Sequence, residues 1–356
     1  MMLHEGKYDR LKQLIDSGFT DWQSHGFVRT VEQGDLILFN YTNEAQWAAN
    51  WTWLETIGRG LIYDRAKREW AALPLPKFFN WGEGNRFDYT PVEYVTQKVD
   101  GWIGILYRDG NSAAKYRIAS RGSFTSDGAE VSNDIIAGHA SAMAQHLPDN
   151  ITFVFEIISP ETRIVVDYGG ACKLVVIAAY DRINMRELRY SELCKYAALC
   201  DFEVVQLHED LMYVEQVEAY VAGLNSQDEG CVIRFESGNR FKFKSLEYLA
   251  LHRLVSNFSA KVVVDLFFDG KTDDLQALPL HLRQPFDDVV NEVRAKTLGM
   301  YADVDRLYAA ADKADAKTFA LWVKDNAPTA YHSMLFNRNK GFDFAELVKK
   351  RILEDL

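Results

Sequence analysis

The chain changes character near residue 245, and this change limits its possible folds more than any other feature. Short apolar segments bounded by Gly, Asn, Asp or Pro predict strands at residues 35–41, 60–63, 101–107, 152–158, 173–180, 230–235 and 240–243. Helices are predicted between them at residues 132–146, 191–200 and 212–224. After residue 245, apolar positions recur every three or four residues and predict helices at 285–298, 302–311, 316–327 and 344–353. We therefore predict an α+β domain over residues 1–250 and a small all-helical domain over residues 251–356.

The composition is that of a folded protein and leaves its partners open. With 48% hydrophobic and 26% charged residues, the chain can bury a core and does not resemble a disordered protein. The net charge of −11 argues against non-specific nucleic-acid binding, although a local basic groove would be compatible with it. The cysteines Cys172, Cys194, Cys200 and Cys231 form no CxxC pair, which predicts reduced thiols. The charged start of the chain and its short apolar runs predict a soluble, cytoplasmic protein without a signal peptide.

The sequence KVDG at residues 98–101 is the first indication of a catalytic site. By itself a KxDG tetrapeptide occurs by chance in many proteins, and most such lysines are solvated. Here four further motifs follow it in order: SRGS at 120–123, FVFE at 153–156, EGCV at 229–232 and KFK at 242–244. The complete series, rather than any single motif, indicates a catalytic lysine.

This order and spacing resemble the motif series of the covalent nucleotidyltransferases, which comprise DNA ligases, RNA ligases and mRNA capping enzymes. The flanking letters GRGLIYD at residues 58–64 and PKFFN at 76–80 are most similar to the bacteriophage RNA ligase 1 family. The similarity covers roughly residues 35–255. It implies an adenylation domain of antiparallel sheets with helices. It also implies ATP-dependent joining of RNA through lysyl-AMP and adenylated-RNA intermediates.

The resemblance assigns catalytic roles to Lys98, Glu229, Lys242 and Lys244. Lys98 would attack the α-phosphorus of ATP and become adenylated, while Glu229 would orient its amine. Strand alternation places Lys242 and Lys244 on one face, with aromatic residues on the other. We expect these two lysines to lower the pKa of Lys98 and to stabilise charge on the α-phosphate.

The resemblance also implies a nucleotide-binding site. Its residues are Lys98, Lys242 and Lys244 together with Arg59, Lys77, Arg121 and Glu156. Arg59 and Lys77 would contact the β- and γ-phosphates, although each alone could equally be an ordinary surface cation. Arg121 stands where many relatives carry lysine, so the cation is kept. Glu156 would accept hydrogen bonds from the ribose hydroxyls. Mg²⁺ or Mn²⁺ would bind through water to Glu156 and Glu229, with Asp100 as a weaker partner.

Three other functions compete with RNA ligation. A DNA ligase or a capping guanylyltransferase normally carries an OB-fold barrel after the last lysine motif, whereas this chain continues with predicted helices. A catalytically inactive nucleotide- or RNA-binding homologue is the third. The expected partner is RNA with 5′-phosphate and 3′-hydroxyl ends, with tRNA as one candidate. No membrane partner is expected, a monomer is favoured, and the host cytoplasm is the expected location if the protein is phage-encoded.

Overall fold

The chain divides into a mixed α+β unit, residues 1–249, and a helical unit, residues 250–356. The computed structural model describes residues 5–110, 115–257, 259–270 and 280–355. The fold class predicted from the sequence, α+β with antiparallel sheets followed by helices, is confirmed.

The strands of the first unit form three sheets. In chain order the strands are β1 (Val28–Gln33), β2 (Leu36–Tyr41), β3 (Arg59–Asp64), β4 (Glu69–Ala72), β5 (Phe79–Asn80), β6 (Val92–Gln97), β7 (Trp102–Arg108), β8 (Tyr116–Ser120), β9 (Ile151–Ile158), β10 (Lys173–Asp181), β11 (Arg186–Glu187), β12 (Glu203–Val204), β13 (Gly230–Phe235) and β14 (Arg240–Lys244). The sheet orders are β1-β2-β3-β4, β11-β10-β9-β7-β8 with β12 beside β10, and β5-β14-β13-β6. All pairs are antiparallel except β5 with β14 and β10 with β12.

Helices cover the sheets of the first unit and make up the second. In chain order they are α1 (Glu5–Asp16), α2 (Asn43–Trp47), α3 (Trp53–Ile57), α4 (Asp127–Ala137), α5 (Ala140–His146), α6 (Tyr190–Leu199), α7 (Val214–Ala222), α8 (Leu246–Asn257), α9 (Ala260–Phe268), α10 (Leu280–Ala310), α11 (Ala316–Asn326), α12 (His332–Asn339) and α13 (Ala345–Glu354). None of the described helices is both long and apolar enough to cross a membrane.

The central strand β9 explains how the sequence builds this unit. All eight of its residues, ITFVFEII, are buried, because β7 and β10 pair with its two edges. Such a strand is apolar on both faces rather than alternating. One face contributes Phe153, Phe155 and Ile157 to a core with helices α4, α5 and α6. The only acidic residue of the strand, Glu156, is therefore embedded in an apolar sheet.

Two helix predictions are wrong in their boundaries. A single helix was predicted over residues 132–146, but α4 ends at Ala137 and α5 begins at Ala140. Gly138 lies at the break, where a helix loses about 1 kcal/mol relative to alanine, and the His139 ring stacks on Phe202 with centroids 4.2 Å apart. Conversely, the helices predicted at 285–298 and 302–311 form the single helix α10, which continues through Gly299. Val293 and Val304 bury apolar surface on either side of this glycine and stabilise the continuous helix.

Candidate active site

Lys98 lies at the point where strand β6 ends beside β13. Its backbone N–H donates to the carbonyl of Gly230 at 2.7 Å. In the same sheet Gly230 is opposite Lys244 and Val232 is opposite Lys242. The sheet therefore brings the KVDG motif together with EGCV and KFK, which follow it by more than 100 residues in the sequence.

Two glycines allow these backbones to approach closely. A Cβ atom on Gly101 would lie 2.4 Å from the carbonyl oxygen of Ile157 and 3.1 Å from Cγ of Glu156. Gly230 has φ +138°, and a Cβ there would lie 2.0 Å from the carbonyl oxygen of Phe243. Any side chain at either position would push the strands apart. The glycines of KVDG and EGCV are therefore steric requirements of the site.

Glu229 holds two lysines at once. Its Oε2 is 2.6 Å from Nζ of Lys98, and its Oε1 is 2.8 Å from Nζ of Lys244. The Glu229 side chain is only 3% exposed. Burial alone would raise its pKa, but the ammonium groups of Lys98 and Lys244 outweigh burial and lower the pKa. Glu229 is therefore a carboxylate that fixes the position of the Lys98 amine.

The pKa of Lys98 moves in the direction opposite to our prediction. Burial would lower it, but the nearby carboxylates of Glu229 and Glu156 outweigh burial and raise the pKa above its ordinary value. The net lowering of the Lys98 pKa that we expected from Lys242 and Lys244 is therefore absent in this arrangement. The pKa of Lys242, in contrast, is lowered, first because of burial and then because of Arg59 and Lys98.

Glu156 is buried on β9 and is close enough to Lys98 and Glu229 for their charges to act on it. Burial raises the pKa of Glu156 to about 7, against the attraction of Lys98 and with the repulsion of Glu229. A carboxyl group with this pKa is partly protonated at neutral pH. It can therefore accept or donate hydrogen bonds to a polar ligand.

The remaining predicted cations form one cluster with Lys242. Burial lowers the pKa of Lys77 to about 8, and the positive charges of Arg59 and Arg121 add to the effect. Aromatic side chains contact three of these cations. Lys242 Nζ lies 4.7 Å from the Phe78 ring centroid, Lys77 Nζ lies 4.4 Å from a ring centroid of Trp51, and Arg121 donates to the Tyr41 hydroxyl at 2.7 Å. The structure thus brings all eight predicted side chains into one continuous, cation-rich region.

Asp100 has a structural role that the sequence did not reveal. One carboxylate oxygen accepts the backbone N–H groups of Val165 and Val166 at 2.8 and 2.9 Å, and the other accepts the Tyr248 hydroxyl at 2.8 Å. The hydroxyl of Tyr168 accepts the Asp100 N–H at 3.0 Å. Tyr248 and Tyr168 were missed as site residues. The carboxylate of Asp100 ties together the loop after Lys98, the segment after β9 and the start of α8.

The oxygens around Lys98 fit a metal held through water better than one bound directly. Both oxygens of Glu229 contact lysine ammonium groups, and both oxygens of Asp100 accept protein hydrogen bonds. Within the described parts of the chain, no group of three or more His, Cys, Asp or Glu residues is placed to hold a metal ion. Water-mediated contacts from Glu156 and Glu229 remain a prediction.

The comparisons with known proteins agree on one family. A family model described as RNA ligase matches residues 58–249, which is more than half of the chain. The chain therefore belongs to this RNA ligase family. An RNA ligase of Rhodothermus phage RM378 is 21% identical over 394 aligned positions, covering 88% of this chain and 85% of the relative.

Solved structures of an RNA ligase from Naegleria gruberi are also similar. A mutant with ATP and Mn gives a TM-score of 0.39 at 18% identity, covering 46% of this chain and 52% of that chain. The structure with PPi gives a TM-score of 0.38 at 20% identity, with the same coverage. The match thus spans about half the length of these ligases.

Proposed function

We propose that this chain is an ATP-dependent RNA ligase that joins 5′-phosphate and 3′-hydroxyl RNA ends through an AMP adduct on Lys98. The observation that carries the proposal is the placement of Lys98 and Lys244 on one carboxylate, Glu229, at 2.6 and 2.8 Å. A lysine held by a carboxylate beside several cations can be both oriented and supplied with phosphate-binding charge. Membership of the RNA ligase family supports the same function.

In the first step, the Lys98 nitrogen forms a bond to the α-phosphorus of ATP while the bond to pyrophosphate breaks. The Lys98 ammonium must first lose a proton, because Glu229 and Glu156 raise its pKa. We propose that the neighbouring cations Arg59, Lys77 and Lys242 stabilise the departing pyrophosphate. Glu156 is proposed to accept hydrogen bonds from the ribose hydroxyls. Mg²⁺ or Mn²⁺, bound through water near Glu156 and Glu229, would supply positive charge that lowers the pKa of Lys98.

Two further transfers complete joining. The 5′-phosphate of the donor RNA takes AMP from Lys98, and the acceptor 3′-hydroxyl then attacks the activated phosphate and expels AMP. In each transfer, negative charge develops on a phosphate group beside these cations. We therefore propose that Lys242 and Lys244 act in all three steps. The helical unit carries none of the proposed nucleotide-site residues, and we propose that it acts on substrate choice or on stability.

Labelling distinguishes this proposal from its rivals. The protein is incubated with ATP or GTP labelled at the α-phosphate and a divalent metal, and the label that stays on the protein during denaturing gel electrophoresis is measured. We expect label from ATP only, and none on the Lys98→Ala variant. Lys195→Ala, which removes an exposed lysine on α6, is the control and should label normally. Label from GTP would indicate a capping enzyme, and label persisting in Lys98→Ala would refute the assignment of the nucleophile.

A further inference from the structure

A cavity of about 960 Å³ lies at the opposite end of strand β14 from Lys244. Arg240 and Phe241 of β14 form part of its wall, together with Lys77 and Phe78. A strand rises about 3.3 Å per residue, so Arg240 is roughly 13 Å along β14 from Lys244. Small-ligand sites typically measure about 300–1,000 Å³, which places this cavity at the upper end of that range.

The cavity wall is basic, although the chain as a whole carries a net charge of −11. Three acidic residues line it, against six basic residues: Lys77, Arg86, Arg186, Arg189, Arg234 and Arg240. Some of these charges are neutralised locally. Arg234 and Arg240 pair with Glu187, and Arg186 pairs with Glu192. The other three, Lys77, Arg86 and Arg189, form no ion pair within the described residues, although Glu83 lies near Lys77 and Glu192 near Arg189.

Lys77 and Arg86 rest against aromatic rings. The Arg86 guanidinium lies 4.1 Å from the centroid of the Phe79 ring and donates to the carbonyl of Glu83 at 3.2 Å. Lys77 Nζ lies 5.2 Å from the same Phe79 ring. A cation held by a ring and a carbonyl keeps its charge for an external anion. These contacts place two positive charges beside one aromatic face.

Aromatic surface continues outward from this point. Phe87, which lines the cavity, is 44% exposed, and the neighbouring Tyr89 is 90% exposed. Their rings are nearly parallel, with centroids 6.3 Å apart and an interplanar angle of 24°. Exposed aromatic rings interleaved with arginines are typical of surfaces that bind single-stranded nucleic acid by base stacking and phosphate contacts.

The stereochemistry of adenylate transfer connects this cavity with Lys98. In an in-line displacement, the entering and leaving groups lie on opposite sides of the phosphorus. Pyrophosphate must therefore leave on the side facing away from Lys98. When Lys98 later becomes the leaving group, the 5′-phosphate of the donor must enter from that same side. Lys77 belongs both to the cation cluster with Arg59 and Lys242 and to the cavity wall.

We propose that this cavity binds the first nucleotides of the donor strand, with the 5′-phosphate near Lys77 and Lys242 and the following bases against Phe79 and Phe87. The inference rests on the proposed function, because it uses the adenylated Lys98. In the step it serves, a donor phosphate oxygen bonds to the AMP phosphorus while the phosphorus–nitrogen bond to Lys98 breaks. The electron pair returns to the Lys98 nitrogen, which then takes up a proton.

The test measures transfer of AMP from full-length, pre-adenylated protein to a short 5′-phosphorylated oligoribonucleotide. In Phe87→Ala and Phe87→Leu we expect the KM for the donor to rise roughly tenfold, because stacking on the ring is lost. Arg189→Gln should raise the same KM and weaken its dependence on salt. The matched controls are Tyr213→Ala and Arg68→Gln, which remove an exposed tyrosine and an exposed arginine outside the cavity wall.

Adduct formation from ATP and the KM for the acceptor strand are measured on every variant. Normal adduct formation with a raised donor KM supports the proposal. An unchanged donor KM in all three cavity variants would overturn it, as would a rise confined to the acceptor KM, which would assign the cavity to the other strand. If the wild-type protein forms no adduct from ATP, the proposed function itself fails and the inference fails with it.

Discussion

Replacing Glu156 by glutamine should change how stability depends on pH. The ordinary pKa of a glutamate is 4.5, whereas burial on β9 raises that of Glu156 to about 7. Between these two values the folded protein holds a proton that the unfolded chain has already lost. Stability from this group is therefore fully present below pH 4.5 and is lost as the pH rises through 7. Glu156→Gln has no such proton and should lack this loss.

The size of the effect follows from the two pKa values. A shift of one pKa unit corresponds to about 1.4 kcal/mol, so the full span from 4.5 to about 7 corresponds to about 3 kcal/mol. Between pH 5 and pH 8 the linkage relation gives a loss of roughly 2 to 3 kcal/mol, since part of the span lies below pH 5. This is a large fraction of the stability of an ordinary domain.

Urea unfolding at pH 5 and pH 8 measures the difference. Tryptophan fluorescence reports mainly on the α+β unit, because seven of the eight tryptophans precede residue 250. The free energy of unfolding of the wild type should fall between these pH values by roughly 2 to 3 kcal/mol more than that of Glu156→Gln. Glu218→Gln, on the exposed side of α7, is the control and should follow the wild type. Parallel pH dependence in wild type and Glu156→Gln would refute the raised pKa.

Three further predictions test the site and its modularity. In Glu229→Gln, the midpoint of the pH–rate profile for adduct formation should shift to lower pH, because the nearest carboxylate that raises the pKa of Lys98 is gone. The maximal rate should fall roughly a hundredfold. An unshifted midpoint would contradict this prediction. Lys98→Ala should still join a pre-adenylated donor without ATP, whereas Lys242→Ala should lose most of that joining; equal complete loss in both would contradict this division of roles. A protein ending at Asn257 should unfold cooperatively and keep self-adenylation while joining weakens, since the proposed nucleotide site lies within residues 1–249; a folded truncation without adduct formation would rule this out.

The motif series predicted which side chains meet. Each motif has charged residues beside an apolar strand, and pairing of the strands brings these charged residues together. It could not predict the direction of the Lys98 pKa shift. That direction depends on Glu229 lying 2.6 Å away and on the charges of Glu229 and Glu156 together outweighing burial. The role of Asp100 was equally hidden, since its partners include Val165 and Tyr248, which are 65 and 148 residues away in the sequence.

Some helix boundaries and the cavity also could not be predicted from the sequence. The break at Gly138 lies beside His139, whose ring stacks on the distant Phe202, and α10 is packed into the core on both sides of Gly299. The cavity is lined by residues from many separate segments between Tyr8 and Phe241, and no local pattern in the sequence marks them as neighbours.

Glu229 contacts two lysine ammonium groups, and adduct formation would remove the charge of one of them, Lys98. The charge of the whole protein would therefore change measurably. Lys98 would lose its positive charge and gain the single negative charge of a phosphoramidate-linked AMP, a net change of −2. From a sequence isoelectric point of about 5.3, the adenylated form would migrate as a more acidic species. Isoelectric focusing could then separate the two forms and give the occupied fraction of a preparation directly, without radioactive nucleotide.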